Sequence, residues 1–300
     1  MPKGKKDHYV AQTYLKRFCD NKGNIYAFSK KSDRVLCTNT RSICWEWDWD
    51  TLKGVDNETL LAELLNGHLE PTLNNVIDRL IYEKIDDHDK YHLSVYFSIL
   101  HFLNPHFIKN KQFQEEKLEL IVKDIYPNLS DYSNLFNKDY NSKRAELFAE
   151  AFRLASILYI SQWQVITNNS DLNFLTSDRP IEFFPLNSIG SPQPRFIALD
   201  PRHALVIDIL TSEIMQQLKD DKIDIPAGAI KHIKLSDRKK IKKYILHTIS
   251  TADRFIISQE NNSKIEKFVK RHKSLETKQD VKPVIINNRR AILLGPTKNF

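Results

Sequence analysis

Two short motifs carry side chains that could do chemistry together. The first covers residues 8–18 and places an imidazole, an amide and a guanidinium at His8, Gln12 and Arg17. On a helix, His8 and Gln12 would lie one turn apart on one face, so both could hold the same ligand or one could orient the other. The structural alternative is a short amphipathic helix over His8 to Phe18 whose histidine caps its own start.

The second motif covers residues 174–181, where an apolar strand ends in Thr176, Ser177 and Asp178. Pro180 then stops the chain from continuing as a regular helix or ladder, so the polar groups lie on a fixed turn. A carboxylate in such a place suits metal binding, general-base catalysis or hydrogen bonding to a substrate. The structural alternative is a turn in which Asp178 accepts hydrogen bonds from nearby backbone N–H groups.

Together the two motifs resemble the bacterial family known as domain of unknown function 4238. Its members open with a His-Tyr-Val-Pro-Gln-x-Tyr-Leu-x-x-Phe-like signature, matched by residues 8–18, and continue into a Gly-x-Ile-Tyr-like strand, matched by residues 23–26. A Thr-Ser-Asp-x-Pro element follows at residues 176–180. Ala11 replaces the usual proline, and Asp7 stands where a second histidine is common, so a metal site built on paired histidines would lack a ligand. The resemblance implies a fold and no particular activity.

The resemblance is a reason to consider the two motifs as parts of one site. We expect one set of side chains to converge as a catalytic pocket: His8, Gln12, Arg17, Ser177 and Asp178. Glu70 or His101 from the middle of the chain would form additional walls. A divalent metal ion is the cofactor that such a pocket would use, with Asp178, His8 and Glu70 as candidate ligands. A separation of more than about 12 Å between His8 and Asp178 would rule out a shared pocket.

Positive charge is concentrated towards the C-terminal end of the sequence. The formal net charge is +7, but residues 230–300 hold 18 Lys and Arg against 6 Asp and Glu, so residues 1–229 carry a net charge of −5. A basic surface attracts nucleic acid, because each neutralised phosphate releases counterions. The alternative is a solvated lysine-rich face, since lysine outnumbers arginine 31 to 14. The candidate phosphate contacts are Lys239, Lys240, Lys242 and Lys243.

Composition excludes several classes of protein. With 41% hydrophobic and 28% charged residues over 300 positions, the chain is folded rather than disordered. Seven glycines and no glycine-rich phosphate loop argue against P-loop and dinucleotide-binding enzymes. No apolar run approaches the roughly 18 residues of a membrane helix and the charged start lacks a signal-peptide core, so we expect a cytoplasmic protein without membrane contact. Cys19, Cys37 and Cys44 lack metal or redox spacing and are expected to be buried free thiols.

The elements that position these motifs indicate an α+β fold. An N-terminal helix and a β-hairpin at residues 25–38 precede a large helical centre at residues 56–161, for which we expect four to six helices. The C-terminal half combines strands of a mixed sheet with basic helices. The β pieces at both ends should meet across the helical centre. We expect one domain over residues 1–300, within which the helical centre could form a subdomain.

Three function classes remain open. The favoured one is a hydrolase of nucleic acid or another phosphate ester, a metal-dependent nuclease or phosphoesterase in which Asp178 binds the ion or acts as base and Arg17 holds phosphate. Such a protein would suit phage defence or the role of a toxin. The main alternative is a non-catalytic nucleic-acid-binding or regulatory protein. The third is an interaction module that uses the stripe Trp45, Trp47 and Trp49, which on an extended segment would share one face. The sequence does not indicate an oligomeric state.

Overall fold

The computed structural model describes residues 4–53, 56–125, 140–183, 194–208, 228–275, 278–286 and 289–297. Strands lie towards both ends of the chain and helices fill its centre, which confirms the predicted α+β class. Apolar side chains of strands and helices form one buried cluster that extends from Tyr9 to Val269. The division into domains stays a prediction. In the described part of the chain, no helix is both long and apolar enough to cross a bilayer.

The chain begins with a strand at a point where a helix was predicted. Strand β1 (Lys6–His8) pairs antiparallel with β4 (Trp45–Trp47), and His8 lies opposite Trp45. Helix α1 covers Gln12–Leu15 and continues as a 3-10 turn over Lys16–Phe18. The prediction of a helix from His8 onwards is therefore wrong for its first turn, because a partner strand far along the sequence holds His8 in an extended conformation.

The N-terminal hairpin and the C-terminal part of the chain share a four-stranded antiparallel sheet, as predicted. Its strands, in spatial order, are β3 (Val35–Thr38), β2 (Ile25–Ser29), β11 (Phe255–Ser258) and β6 (Thr176–Ser177). The central strands bury Ile25, Ala27, Ile256 and Ile257 completely. This sheet carries the second sequence motif, because β6 ends immediately before Asp178.

Five helices among the described residues form the centre of the molecule, within the predicted number: α2 (Leu60–Ala62), α3 (Leu73–Ile81), α4 (Asp87–Phe102), α5 (Pro105–Ile125) and α6 (Tyr140–Ile160). Helix α2 runs directly into a π-helical segment over Glu63–Leu69. Helix α4 is buried along most of its length and packs against α6. Asp86 caps α4 by accepting the backbone N–H of Asp89 at 2.8 Å.

A five-stranded mixed sheet follows the helical centre. Its strands, in spatial order, are β10 (Ile230–Leu235), β5 (Gln162–Asn168), β9 (His203–Asp208), β8 (Arg195–Ala198) and β7 (Ile181–Phe183). Strand β10 runs parallel to β5, and the other pairs are antiparallel. The buried Lys90 of α4 fastens the helices to this sheet, because its ammonium donates to the carbonyls of Ser161 (3.0 Å) and Gly228. Burial lowers the pKa of Lys90 to about 8.

The C-terminal region contains the two predicted basic helices, α7 (Arg238–Thr251) and α8 (Ser263–His272), and an antiparallel hairpin of β12 (Lys278–Ile286) and β13 (Arg289–Thr297). Residues 287–288, between these two strands in the sequence, lie outside the described residues. Helix α7 buries Ile241, Ile245 and Ile249, whereas the four lysines predicted to contact phosphate are exposed. Their contact with phosphate stays a prediction.

Two expectations about single residue types need correction. Trp49 is 4% exposed and Trp47 is 53% exposed, because a turn at Asp48 ends β4 before Trp49 and breaks the alternation. Trp45 and Trp47 contact each other, with ring centroids 5.3 Å apart, whereas Trp49 packs against Tyr9 in the core, so the predicted stripe of three indoles on one face is wrong. Of the cysteines, Cys44 is buried, Cys19 is half-buried and Cys37 is exposed, so the expectation of buried thiols fails at Cys37.

Candidate active site

Three carboxylates lie close to Lys5 beside the β1–β4 pair, and we call Asp7, Asp50 and Glu70 the acidic site. Asp7 is buried on β1, where its carboxylate accepts the backbone N–H of Asp50 at 3.1 Å and pairs with Lys5 Nζ at 3.0 Å. The hydrogen bond that Lys5 donates to Asp7 is the largest cause that raises the pKa of Lys5, and the charges of all three carboxylates raise it further. One lysine thus faces three acids.

A left-handed residue brings Asp50 to this place. Asp48 has φ of 51°, a conformation that short polar side chains tolerate better than most. Its carboxylate accepts the backbone N–H of Lys5, and its own N–H donates to the carbonyl of Lys5, both at 2.8 Å. The chain therefore folds back at the end of β4, and the backbone of Asp50 reaches Asp7. Strained backbone conformations of this kind cluster at functional sites.

The π-helical segment supplies the opposite wall of the acidic site. Glu70 follows this segment directly, and its N–H donates to the carbonyl of Leu65 at 2.9 Å. Within the segment, Asn66 donates its amide N–H to Asp50 Oδ2 at 3.3 Å. π-Helical turns are rare and are frequently found at functional sites, because they redirect side chains that a regular helix would point elsewhere.

Burial and neighbouring charge raise the pKa values of Asp50 and Glu70 above those of ordinary carboxyls. Burial, and then the charge of Asp7, raises the pKa of Asp50 to about 6. Burial, and then the charge of Asp50, raises the pKa of Glu70 to about 7. Near neutral pH, Asp50 is mostly ionised while much of Glu70 still holds its proton. Such a pair can serve as general base and general acid.

One polar atom at the acidic site, Asp50 Oδ1, is buried without a hydrogen bond to any described residue. Buried polar atoms in folded proteins almost always have a partner. The atom is therefore suited to receive a water molecule or a polar group of a ligand. The hydroxyl of Tyr96 on α4 lies near this site: burial, and then the charge of Glu70, raises the pKa of the phenol.

His8 makes a different set of contacts from its neighbour Asp7, as expected for successive residues of a strand. Its Nδ1 accepts a hydrogen bond from the amide of Gln12 at 3.3 Å, and Gln12 accepts one from Thr40 Oγ1 at 3.5 Å. Burial lowers the pKa of His8. The imidazole is therefore neutral at physiological pH and, with Gln12, connects β1 to the Thr40–Ser42 turn.

Asp178 is held by the backbone of the segment that links α7 to β11. Its carboxylate is 2% exposed and accepts the N–H groups of Asp253 (3.0 Å) and Arg254 (2.8 Å). Burial raises the pKa of this carboxyl, and the backbone hydrogen bonds oppose that shift. Ser177 accepts the N–H of Arg179 at 3.0 Å. Asp178 thus accepts backbone N–H groups, as in the structural alternative, but they belong to a segment 75 residues further along the chain and not to its own turn.

Arg17 is fully engaged with protein acceptors. Its guanidinium donates to the carbonyl of Leu199 at 2.9 Å and pairs with Asp78 (2.9 Å) and Asp200 (3.4 Å). A phosphate bound at Arg17 would have to displace at least one of these partners. The arginine therefore fastens the first motif to the five-stranded sheet.

The two sequence motifs do come together, although through other residues than those predicted. Tyr14 and Thr176 share a hydrogen bond at 2.7 Å, and Arg254 contacts both Tyr9 and Asp178. No contact among the described residues joins His8 directly to Asp178. The catalytic roles of His8, Gln12, Arg17, Ser177 and Asp178 stay predictions.

His101, predicted as a wall of the pocket, belongs instead to a second buried group on the five-stranded sheet, which we call the ionic cluster: His101, Arg179, Glu182, Arg195 and His247. Arg179 donates to the carboxylate of Glu182, and His101 Nδ1 lies 3.9 Å from it. Burial lowers the pKa of both histidines to about 4. Burial acts against ionisation of Glu182, but the charges of Arg179 and His101 prevail and lower its pKa to about 2.

A compact set of metal-ligating atoms occurs at the start of α4. Ligand atoms of Asp86, His88 and Asp89 lie within 4.8 Å of one another. Asp86 caps the helix and Asp89 is paired with Arg79, so both carboxylates already have partners. This set is explained as a helix cap.

The family model described as "Protein of unknown function (DUF4238)" matches residues 6–262. The chain belongs to the DUF4238 family. No curated protein and no solved structure matches it. The match includes every residue of the acidic site and ends immediately before α8, so this DUF4238 protein carries its last helix beyond the part that the family model describes.

Sequence reasoning missed two of the three carboxylates of this DUF4238 protein. Asp7 was noticed only as a departure from a histidine, and Asp50 was hidden in the alternation of tryptophan and acidic residues. Glu70 was found, as a candidate metal ligand. The available signal was the acidic composition of residues 46–50, which is unusual next to three tryptophans.

Proposed function

We propose that the acidic site hydrolyses phosphate esters and that nucleic acid is the substrate class. The observation that carries this proposal is the grouping of a buried carboxyl, Asp50, and a half-buried one, Glu70, near Lys5. Burial raises the pKa of Asp50 to about 6 and that of Glu70 to about 7. Hydrolysis of an ester needs a base for water and an acid for the leaving group, and this pair supplies both near neutral pH.

The proposed reaction assigns a role to each group. Asp50 Oδ1, which has no hydrogen bond to a described residue, takes a proton from water, and the water oxygen attacks phosphorus. As the ester P–O bond breaks, Glu70 gives its proton to the leaving oxygen. Lys5 is largely exposed and can neutralise charge on the phosphate.

The choice of nucleic acid rests on the charge of the C-terminal region. Residues 230–300 carry an excess of 12 positive charges, and the lysines of α7 are exposed. A polymer with one phosphate per unit is the partner that such a surface binds most strongly, because every contact adds a counterion-release contribution.

Binding without catalysis is the second candidate function. The observation that favours it is that Arg17 and Asp178, two of the predicted catalytic residues, are occupied by protein partners. A nucleic-acid-binding protein would use these residues only to hold its motifs together. Shifted but intact nucleic acid would support this function.

Glu70→Gln tests the proposal, because it removes the acid while keeping the size of the side chain. Wild type and variant are incubated with single- and double-stranded DNA and RNA, whose leaving sugar oxygen needs a proton, in Mg²⁺, Mn²⁺ or EDTA. We expect kcat of the variant to fall by about 10²- to 10⁴-fold. The matched control is Glu63→Gln, an exposed glutamate at the start of the same π-helical segment, which should retain wild-type activity. Absence of hydrolysis by the wild type, or full activity of Glu70→Gln, would refute the proposal.

A further inference from the structure

A cleft of about 440 Å³ lies between α7, α8 and residues 171–175. Its lining includes apolar side chains from all three parts: Leu172, Leu175, Ile245, Ile265 and Phe268. This volume falls in the range of small-molecule sites.

The polar lining of the cleft has more positive than negative charge. Three cations, Arg238, Lys242 and Lys264, stand against two carboxylates. Arg238 is paired with Asp171 at 3.1 Å, whereas in the described part of the chain neither Lys242 nor Lys264 has an ion-pair partner. The second carboxylate, Glu260, accepts hydrogen bonds from the amides of Asn173 and Asn262. Two exposed ammonium groups therefore remain for an anionic ligand.

We propose that this cleft binds one base of a single-stranded nucleic acid, with the adjoining phosphates on Lys242 and Lys264. This inference rests on the proposed function, for which it names the form of the substrate. The apolar lining and the ring of Phe268 offer a stacking surface that any base can use. A base can enter the cleft only where it is unpaired, which selects single strands.

The lysines outside the cleft favour a polymer over a small anionic molecule. Lys239, Lys240 and Lys243 are exposed on α7, beside the cleft residue Lys242. A free carboxylic acid or a mononucleotide would leave these charges unused. A strand that places one base in the cleft continues along α7 and meets them with its neighbouring phosphates.

The test measures fluorescence anisotropy of labelled ten-residue oligothymidylate and oligouridylate in Mg²⁺, with the Glu70→Gln protein to prevent cleavage. Adding Lys242→Glu and Lys264→Glu should lower the affinity at least tenfold. The slope of log K against log salt should fall by roughly 0.7 for each lost phosphate contact. The matched control carries Lys16→Glu and Lys84→Glu, two exposed lysines outside the cleft, and should lose less affinity. Phe268→Leu keeps the apolar volume, removes the ring and should also weaken binding.

Three outcomes would overturn the inference. They are equal affinity of the cleft and control variants, equal affinity for a duplex of the same length, and competition by thymidine monophosphate at the concentration of the oligonucleotide. The last outcome would assign the cleft to a free nucleotide. Hydrolysis of bis(p-nitrophenyl) phosphate does not need the cleft, so its persistence without strand binding would reject the cleft alone. Strand binding by a wild type that hydrolyses nothing would reject the proposed function alone.

Discussion

At the scale of single residues, hydrogen bonding distinguishes two buried carboxylates that look alike in the sequence. Both oxygens of Asp178 accept backbone N–H groups, whereas Oδ1 of Asp50 has no hydrogen bond to a described residue. A carboxylate with both oxygens occupied stabilises a turn. A carboxylate with a buried oxygen left over can act on a ligand.

Asp178→Ala should therefore affect stability and leave the chemistry intact. The change leaves two buried N–H groups without their charged acceptor, so we expect the free energy of unfolding to fall by about 2–4 kcal/mol in urea titrations. The control Asp171→Ala removes an exposed carboxylate and should change it by less than about 1 kcal/mol. Loss of activity in a fully folded Asp178→Ala protein would instead identify Asp178 as catalytic.

The sequence supports only part of this assignment. It offered the turn as the alternative role of Asp178, because aspartate before an x-Pro pair commonly forms such turns. It could not reveal Asp50, whose reactivity depends on burial, on the left-handed turn at Asp48 and on the distant Asp7. The residues next to Asp50 in the sequence indicate none of these three conditions.

At the scale of elements, local sequence patterns predicted the helices and strands whose structure depends on their own residues. The hairpin of β2 and β3, the helical centre and the two basic helices follow from periodicity and turn residues. The helix predicted from His8 is wrong in its first turn because β1 pairs with β4, which follows later in the chain. The π-helical segment before Glu70 was not predicted, since its residues are compatible with an ordinary helix.

Alanine substitution of two glycines provides a matched test of the local packing. A Cβ at Gly67, in the π-helical segment, would meet nothing within 4 Å, so Gly67→Ala should raise the free energy of unfolding by about 0.5–1 kcal/mol. A Cβ at Gly228, before β10, would lie 2.1 Å from the carbonyl oxygen of Ser161. Gly228→Ala should lower the free energy of unfolding by about 1–3 kcal/mol. Urea titrations in which both variants move in the same direction would contradict this packing.

At the scale of the whole molecule, the arrangement joins distant parts of the chain. The prediction that β pieces from both ends meet is confirmed by the β2–β11 pair. The ionic cluster likewise draws on α4, α7 and the strands between them. Its membership could not be predicted, because a histidine on an apolar helix face gives no sign of a charged partner 80 residues away.

The ionic cluster should make the protein sensitive to acid. His101 and His247 have pKa values lowered to about 4, so between pH 6.5 and 4 the unfolded chain binds more protons than the folded one and stability falls as pH falls. Each histidine contributes on the order of 3 kcal/mol to this loss at pH 4. Below pH 4.5, Glu182 takes up a proton in the unfolded chain but stays ionised in the folded protein, where its pKa is lowered to about 2. This difference adds a further loss of stability.

His247→Gln checks this assignment in urea unfolding at pH 7, 5.5 and 4. The variant cannot take up the proton, so its stability should fall less steeply with decreasing pH than that of the wild type. His88→Gln changes an exposed histidine and should follow the wild-type curve. Parallel curves for all three proteins would show that the acid sensitivity originates elsewhere.

The most direct test of the acidic site is the pH dependence of kcat/KM for hydrolysis of a dinucleotide such as thymidylyl-thymidine, whose leaving sugar oxygen needs a proton. The base Asp50 must be ionised and the acid Glu70 must be protonated, so the rate should rise through pH 6, fall through pH 7 and be highest between these values. The residual activity of Glu70→Gln should lack the decline above pH 7. A rate independent of pH between 5 and 8, or an unchanged decline in Glu70→Gln, would contradict catalysis by this pair.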